Sequence, residues 1–144
     1  MKKIILSLSF VMAVTAATFA NVVDPDPEVV EAFKREFPGA QLVNWTEQGD
    51  YQRATFILAG HRSIAYFNQA NELVGCMRDL FFDQLPIVVM KAIDKKFPSA
   101  SFAEVREINN ADGTSYLLTV EQGKKKYKVK LTSEGFFTST EKIK

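Results

Sequence analysis

Chemically active side chains are scarce in this chain of 144 residues, which has one cysteine, Cys76, and one histidine, His61. A lone cysteine excludes an internal disulfide framework, and a lone histidine excludes most zinc sites, because each needs several partners or ligands. Seven glycines and five prolines leave no room for a long low-complexity linker. Formal net charge is only +1, so no overall pull toward nucleic acid or an anionic membrane is implied. The chain is too short for a large multidomain enzyme and suits one compact domain or two small ones sharing a core. What is present is ordinary globular material, 47% hydrophobic, 24% charged and 12% aromatic. That balance argues against a disordered tail or a collagen-like repeat.

The clearest functional signal lies at the start. Met1-Lys2-Lys3 is a short positive stretch, followed by an apolar run over 4–19 and a small residue, Ala20. A secretory signal peptide needs a charged start, about 7–15 apolar residues and small side chains before the cut. Thr18 and Ala20 fit those small positions for cleavage between Ala20 and Asn21. A membrane anchor fits less well, since the run is shorter than the roughly 20 residues that span a bilayer. The expected protein is therefore exported, periplasmic or secreted, with 1–20 removed. Of the remainder, 21–83 holds five basic and ten acidic residues, and 84–144 holds eleven and seven. Such opposite halves attract each other within one fold, or attract a charged partner.

An internal repeat organises the rest. The segment 29–40, VVEAFKREFPGA, returns at 89–100 as VMKAIDKKFPSA, with Val, Ala, Phe, Pro and Ala identical at matching positions. Each copy opens with an amphipathic helix, expected near 27–37 and 86–97. Val29, Phe33 and Phe37 recur every four residues, as do Leu85, Val89, Ile93 and Phe97, so one face of each helix is apolar. The period then falls from four to two, with turn residues at short intervals. The spacing predicts strands near 41–47, 51–58, 61–67 and 72–79, and again near 102–108, 114–121, 124–132 and 136–143. Their short loops join antiparallel neighbours. The fold class expected is α+β: two tandem repeats (21–83 and 84–144), each a helix on a four-stranded antiparallel sheet in two layers. Joining the sheets edge to edge would remove two exposed edges.

Alternation separates the two faces of a strand. Tyr127, Val129 and Leu131 are expected to meet the helix, while Lys126 and Lys128 stand in water. A shift of 64 residues puts Ser63, Ala65 and Phe67 inside and Arg62, Ile64 and Tyr66 on the open face. The lysine row is either a solvated face that discourages edge pairing or a basic strip for an anionic partner.

Together these segments resemble the PepSY-like, β-lactamase-inhibitor-like proteins of Gram-negative periplasms. The likeness lies in 29–33 running into 37–40, then Val43-Asn44-Trp45 and a hairpin over 51–67 ending at Asn71. In the second half it lies in Leu85-Pro86, 97–100, Asp112-Gly113, Tyr116 and Tyr127. The resemblance implies an exported two-layer unit in duplicate, without known catalytic residues, and suggests protein binding or peptidase inhibition. No inhibitory motif carries over onto a position here, and Val105 stands near the place of Trp45 in the second copy.

Catalytic readings find little. The only imidazole, His61, is read in a turn beside Gly60, where a histidine is usually just solvated, and Cys76 lacks an adjacent activating group. A strand cysteine is usually a small buried hydrophobe, but an exposed Cys76 in an oxidising compartment would instead link two chains. The loop 109–113 lacks carboxylates at the first and twelfth places of a calcium loop. Asp24 and Asp26 offer at most weak calcium contact. No cofactor and no metal are expected. The leading function is a non-enzymatic module that binds, or inhibits, a protein or peptide of the cell envelope through its open sheet face. Arg62, Ile64, Tyr66, Trp45, Tyr51, Lys126 and Lys128 are the candidate contacts. The alternative is a periplasmic sensor or small-ligand carrier. Nucleic acid and, after cleavage, membrane are not expected partners, and the protein is expected as a monomer or weak dimer.

Overall fold

The computed structural model describes residues 22–144; the export segment expected at 1–20 lies outside the described residues. Helix α1 (Pro27–Glu36) begins where the Asp26 carboxylate accepts the Glu28 N–H at 2.9 Å, with proline at the first helical position. That combination satisfies an orphan donor and pre-sets the backbone. Strands β1 (Gln41–Gln48), β2 (Tyr51–Leu58), β3 (His61–Phe67) and β4 (Leu73–Asp79) follow. A single 3-10 turn (Phe82–Gln84) then leads to helix α2 (Ile87–Lys96). Strands β5 (Ser101–Asn110), β6 (Gly113–Gln122), β7 (Lys125–Thr132) and β8 (Phe137–Ile143) complete the chain.

The expectation of two four-stranded sheets is corrected by the pairing of β4 with β5. Gly75 through Asp79 pair antiparallel with Asn110 through Arg106. All strands therefore belong to one eight-stranded antiparallel sheet in the order β1-β2-β3-β4-β5-β6-β7-β8. The physical reason is edge chemistry. Separate sheets would leave β4 and β5 each with a row of unpaired N–H and C=O groups, which the junction satisfies. The described residues thus form a mostly β fold, with two helices laid on a continuous surface.

Register shows that both helices lie on the same face. Ala65 pairs with Cys76 and Cys76 with Asn109. Asn109 and Val105 share a parity on β5, and Val105 pairs with Leu118, which pairs with Val129. Over the first half of this face, Val29, Ala32 and Phe33 of α1 pack with Trp45, Ala54, Phe56, Ala65 and Phe67. Over the second half, Leu85, Val89, Ile93 and Phe97 pack with Val105, Tyr116, Leu118, Val120, Val129 and Leu131. Ten-residue helices are marginal alone, and burial of these stripes holds them in place. The turn between β7 and β8 is fitted under α2, where Gly135 lies so close that an added Cβ would stand 2.9 Å from the Val88 carbonyl oxygen.

Candidate functional site

Among the described residues, no helix lies on the opposite face of the sheet. Cross-strand registers assemble it in rows. One row runs Thr55, Ile64, Met77, Ile108, and the next runs Thr46, Arg53, Tyr66, Gly75, Asn110. Glycine at 75 leaves a notch between Tyr66 and Asn110, each its direct cross-strand neighbour. An added Cβ at 75 would meet the Asn109 carbonyl oxygen at 3.3 Å and the Asn110 Cβ at 3.5 Å. The notch is the floor of a concavity of about 630 Å³. Met77 and Ile108 form its apolar base, and Tyr66 and Tyr51 are among its walls. Gln48, Asp50 and Asn110 line its rim at the hairpin ends of β1–β2 and β5–β6. An apolar base with a few polar groups and two tyrosines is the composition of a recognition groove.

The expected contact residues divide sharply. Tyr66 is half-buried and Tyr51 is 45% exposed, and both line the groove. Ile64 stands on the open face but is only 5% exposed. Thr55 and Met77 flank it across the strands and Arg62 and Tyr66 along its own, so its reading as an exposed contact is corrected. Trp45 is corrected too. It is 8% exposed on the helix face, with its ring 5.4 Å from Phe33 and 5.9 Å from Phe67. Arg62 is exposed and lies apart from the groove, its guanidinium 3.4 Å from Asp79, which Arg106 also reaches at 2.9 Å. Lys126 and Lys128 stand exposed on the open face of β7, far along the sheet, with Lys126 at 2.7 Å from Glu121. The structure therefore brings Tyr51 and Tyr66 together and leaves Arg62, Lys126 and Lys128 outside.

Sequence reasoning missed Gly75, Met77, Ile108 and Asn110. The available signal was a glycine in a strand interior, which often marks close approach of a ligand or another backbone.

Between the two apolar clusters on the helix face, β4 and β5 are polar. Glu107 accepts hydrogen bonds from Arg78 at 3.1 Å, Tyr116 at 3.3 Å and Asn109 at 3.3 Å. Burial, and then the Glu107 charge beside it, push the Cys76 thiol above its ordinary pKa, with Arg78 and the Asn109 hydrogen bond partly offsetting. Burial likewise leads in raising Tyr116, followed by the charge and hydrogen bond of Glu107. A raised thiol is a poor nucleophile at neutral pH. The sequence reading put His61 in a turn; it instead opens β3, with Nδ1 held 2.9 Å from the Asp79 carbonyl oxygen. Neither residue is arranged for nucleophilic chemistry.

No family profile matches the chain, and none of the curated proteins does. Solved structures do. A BLIP-like protein from Bacteroides fragilis superposes with a TM-score of 0.75 at 22% identity, covering 84% of this chain and 88% of its own. A protein from Bacteroides eggerthii, provisionally described as periplasmic, gives 0.76 at 21% identity over 84% of this chain and 91% of its own. A DUF2874 family protein from Bacteroides ovatus gives 0.75 at 24% identity over 84% and 89%. The fold is therefore BLIP-like. These likenesses show the fold alone, and they carry neither the PepSY part of the sequence resemblance nor the duplication.

Proposed function

We propose that the protein is an exported, non-enzymatic binding module that takes a protein or peptide segment of the cell envelope into the open-face groove. The carrying observation is the notch at Gly75, which opens an apolar floor between Tyr66 and Asn110 on a face that no helix of the described residues covers. Tyrosine is favoured at protein contacts because it offers a large, rigid surface with a polar tip. The charged start and apolar run over 1–20, and the B. eggerthii likeness, support the envelope location. The groove's volume also falls within the range of small-ligand pockets, about 300–1,000 Å³, which favours a carrier as the second reading.

The test compares wild type with Tyr66→Ala and Gly75→Val. Tyr66→Ala should melt close to wild type, since its side chain belongs to neither core cluster, and Gly75→Val somewhat lower, since its Cβ would stand 3.3 Å from the Asn109 carbonyl oxygen. Partner capture from envelope extract should weaken by about 1–2 kcal/mol or more for Tyr66→Ala, as when an aromatic anchor is lost. It should fall at least as far for Gly75→Val, whose side chain occupies the notch. Capture by both folded variants at wild-type strength would defeat the proposal. Competition by low-molecular-weight extract, with no protein retained, would favour the carrier.

A further inference from the structure

One arginine of the open face has no ion-pair partner among the described residues. Among the strand arginines, Arg62 and Arg106 reach Asp79, and Arg78 reaches Glu107. Arg53 forms no ion pair among the described residues, and its Nε is buried without a hydrogen-bond partner. Its direct cross-strand neighbour on β1 is Thr46, whose hydroxyl is also buried and unpartnered. Its neighbour on the other side, on β3, is Tyr66, a wall of the groove. Two adjacent buried polar groups without partners are unusual, because each forgoes hydrogen bonding with water and gains nothing in return. The carboxylate at the groove rim, Asp50, lies 3.5 Å from the Gln69 amide nitrogen.

We propose that Arg53 forms an anchor for a carboxylate, and that the groove's partner is a peptide segment carrying Asp or Glu next to a large apolar residue. The proposal rests on the groove reading above and adds the partner's chemistry. The acidic side chain would accept hydrogen bonds from the terminal nitrogens of the Arg53 guanidinium, the Nε and the Thr46 hydroxyl being buried. The apolar neighbour would cover Gly75, Met77 and Ile108 beside Tyr66. Arginine suits this role because its planar fork matches a carboxylate and it stays charged at all relevant pH. The geometry has a built-in preference. A basic segment would meet an unpaired guanidinium, while a neutral one would leave it buried and uncompensated.

Random peptides displayed on phage, selected on immobilised wild-type protein, test this directly. The selected peptides are then synthesised with capped ends and measured against wild type, Arg53→Gln, Arg53→Lys and Gly75→Val, with a thermal melt of each protein. The expected consensus is Asp or Glu adjacent to Leu, Ile, Met or an aromatic residue. Changing that acid to its amide, or Arg53 to Gln, should weaken binding about 10- to 100-fold, the usual range for a lost charge-assisted hydrogen bond. Arg53→Lys should recover part of the loss, and Gly75→Val should abolish binding. Peptides that lose binding on Gly75→Val but show no acidic residue would overturn the carboxylate anchor and leave the groove standing. Peptides indifferent to Gly75→Val, or no enrichment at all, would overturn both. Enrichment of Lys or Arg would overturn the anchor and assign the charged contact to Asp50.

Discussion

Phe33→Ala should cost about 3–5 kcal/mol, the usual range for emptying a buried phenylalanine site. Phe33 is the centre of the α1 cluster: its ring lies 4.9 Å from Phe56, 5.3 Å from Phe37, 5.4 Å from Trp45 and 6.4 Å from Phe67. Truncation removes tilted and edge contacts to four rings at once and leaves a cavity that the sheet below cannot collapse into. Against a total of about 5–15 kcal/mol for a domain of this kind, that loss brings the protein close to unfolding at body temperature. The single tryptophan sits in this cluster, so Trp45 fluorescence reports α1 and its strands, whereas far-ultraviolet circular dichroism reports the whole sheet. Because β4 and β5 are hydrogen-bonded neighbours, the two signals should fall together in wild type and at a lower temperature in the variant. A fluorescence transition that shifts while the dichroism midpoint stays put would mean that 21–83 and 84–144 unfold separately. A loss under about 1 kcal/mol would mean that the α1 stripe is not core.

Gly135→Ala should be the most damaging single-methyl change. Gly135 has φ +86, and an added Cβ would come within 2.9 Å of the Val88 carbonyl oxygen and 3.4 Å of the Ala92 Cβ. The left-handed backbone costs a non-glycine residue about 1–2 kcal/mol, and forcing α2 off the turn adds roughly 1–3 kcal/mol of overpacking. Gly123→Ala is the internal control: its φ is +60, but an added Cβ meets nothing within 4 Å. It should show the backbone cost alone. Denaturant titration of both variants separates the two contributions, and equal losses would show that the β7–β8 turn does not bear on α2.

The sequence made the elements legible and left open how they join. Helices and strands announce themselves by local period, and the observed α1, α2 and eight strands lie within two residues of the expected limits. The β4–β5 pairing has no local signature, since the strands are joined through α2 and the register is set by which edges remain open. Trp45 was hard to place for a related reason. The pairing shifts between Gln41 and Asn44, where Leu42 takes φ +53. Counting alternate residues from the start of that strand then loses its parity. Tyr66 was legible because buried Ala65 and Phe67 flank it along the strand. The groove as a whole was not, because its floor is a missing side chain, and Gly75 gains its meaning only when Tyr66 and Asn110 are known to flank it. Arg53 gave no signal either: an unpaired arginine looks like any other until its neighbours are placed.

Amide hydrogen exchange with and without the captured envelope partner tests the central claim most directly. Partner-induced slowing is expected at Gly49 through Tyr51, at Tyr66, across Val74 through Met77 and at Ile108 through Asn110, the segments that line the groove. Helix α2 should exchange as in the free protein. Slowing confined to Ile87, Val88 and Phe136, the exposed apolar residues around the start of α2, with the groove segments unchanged, would contradict it.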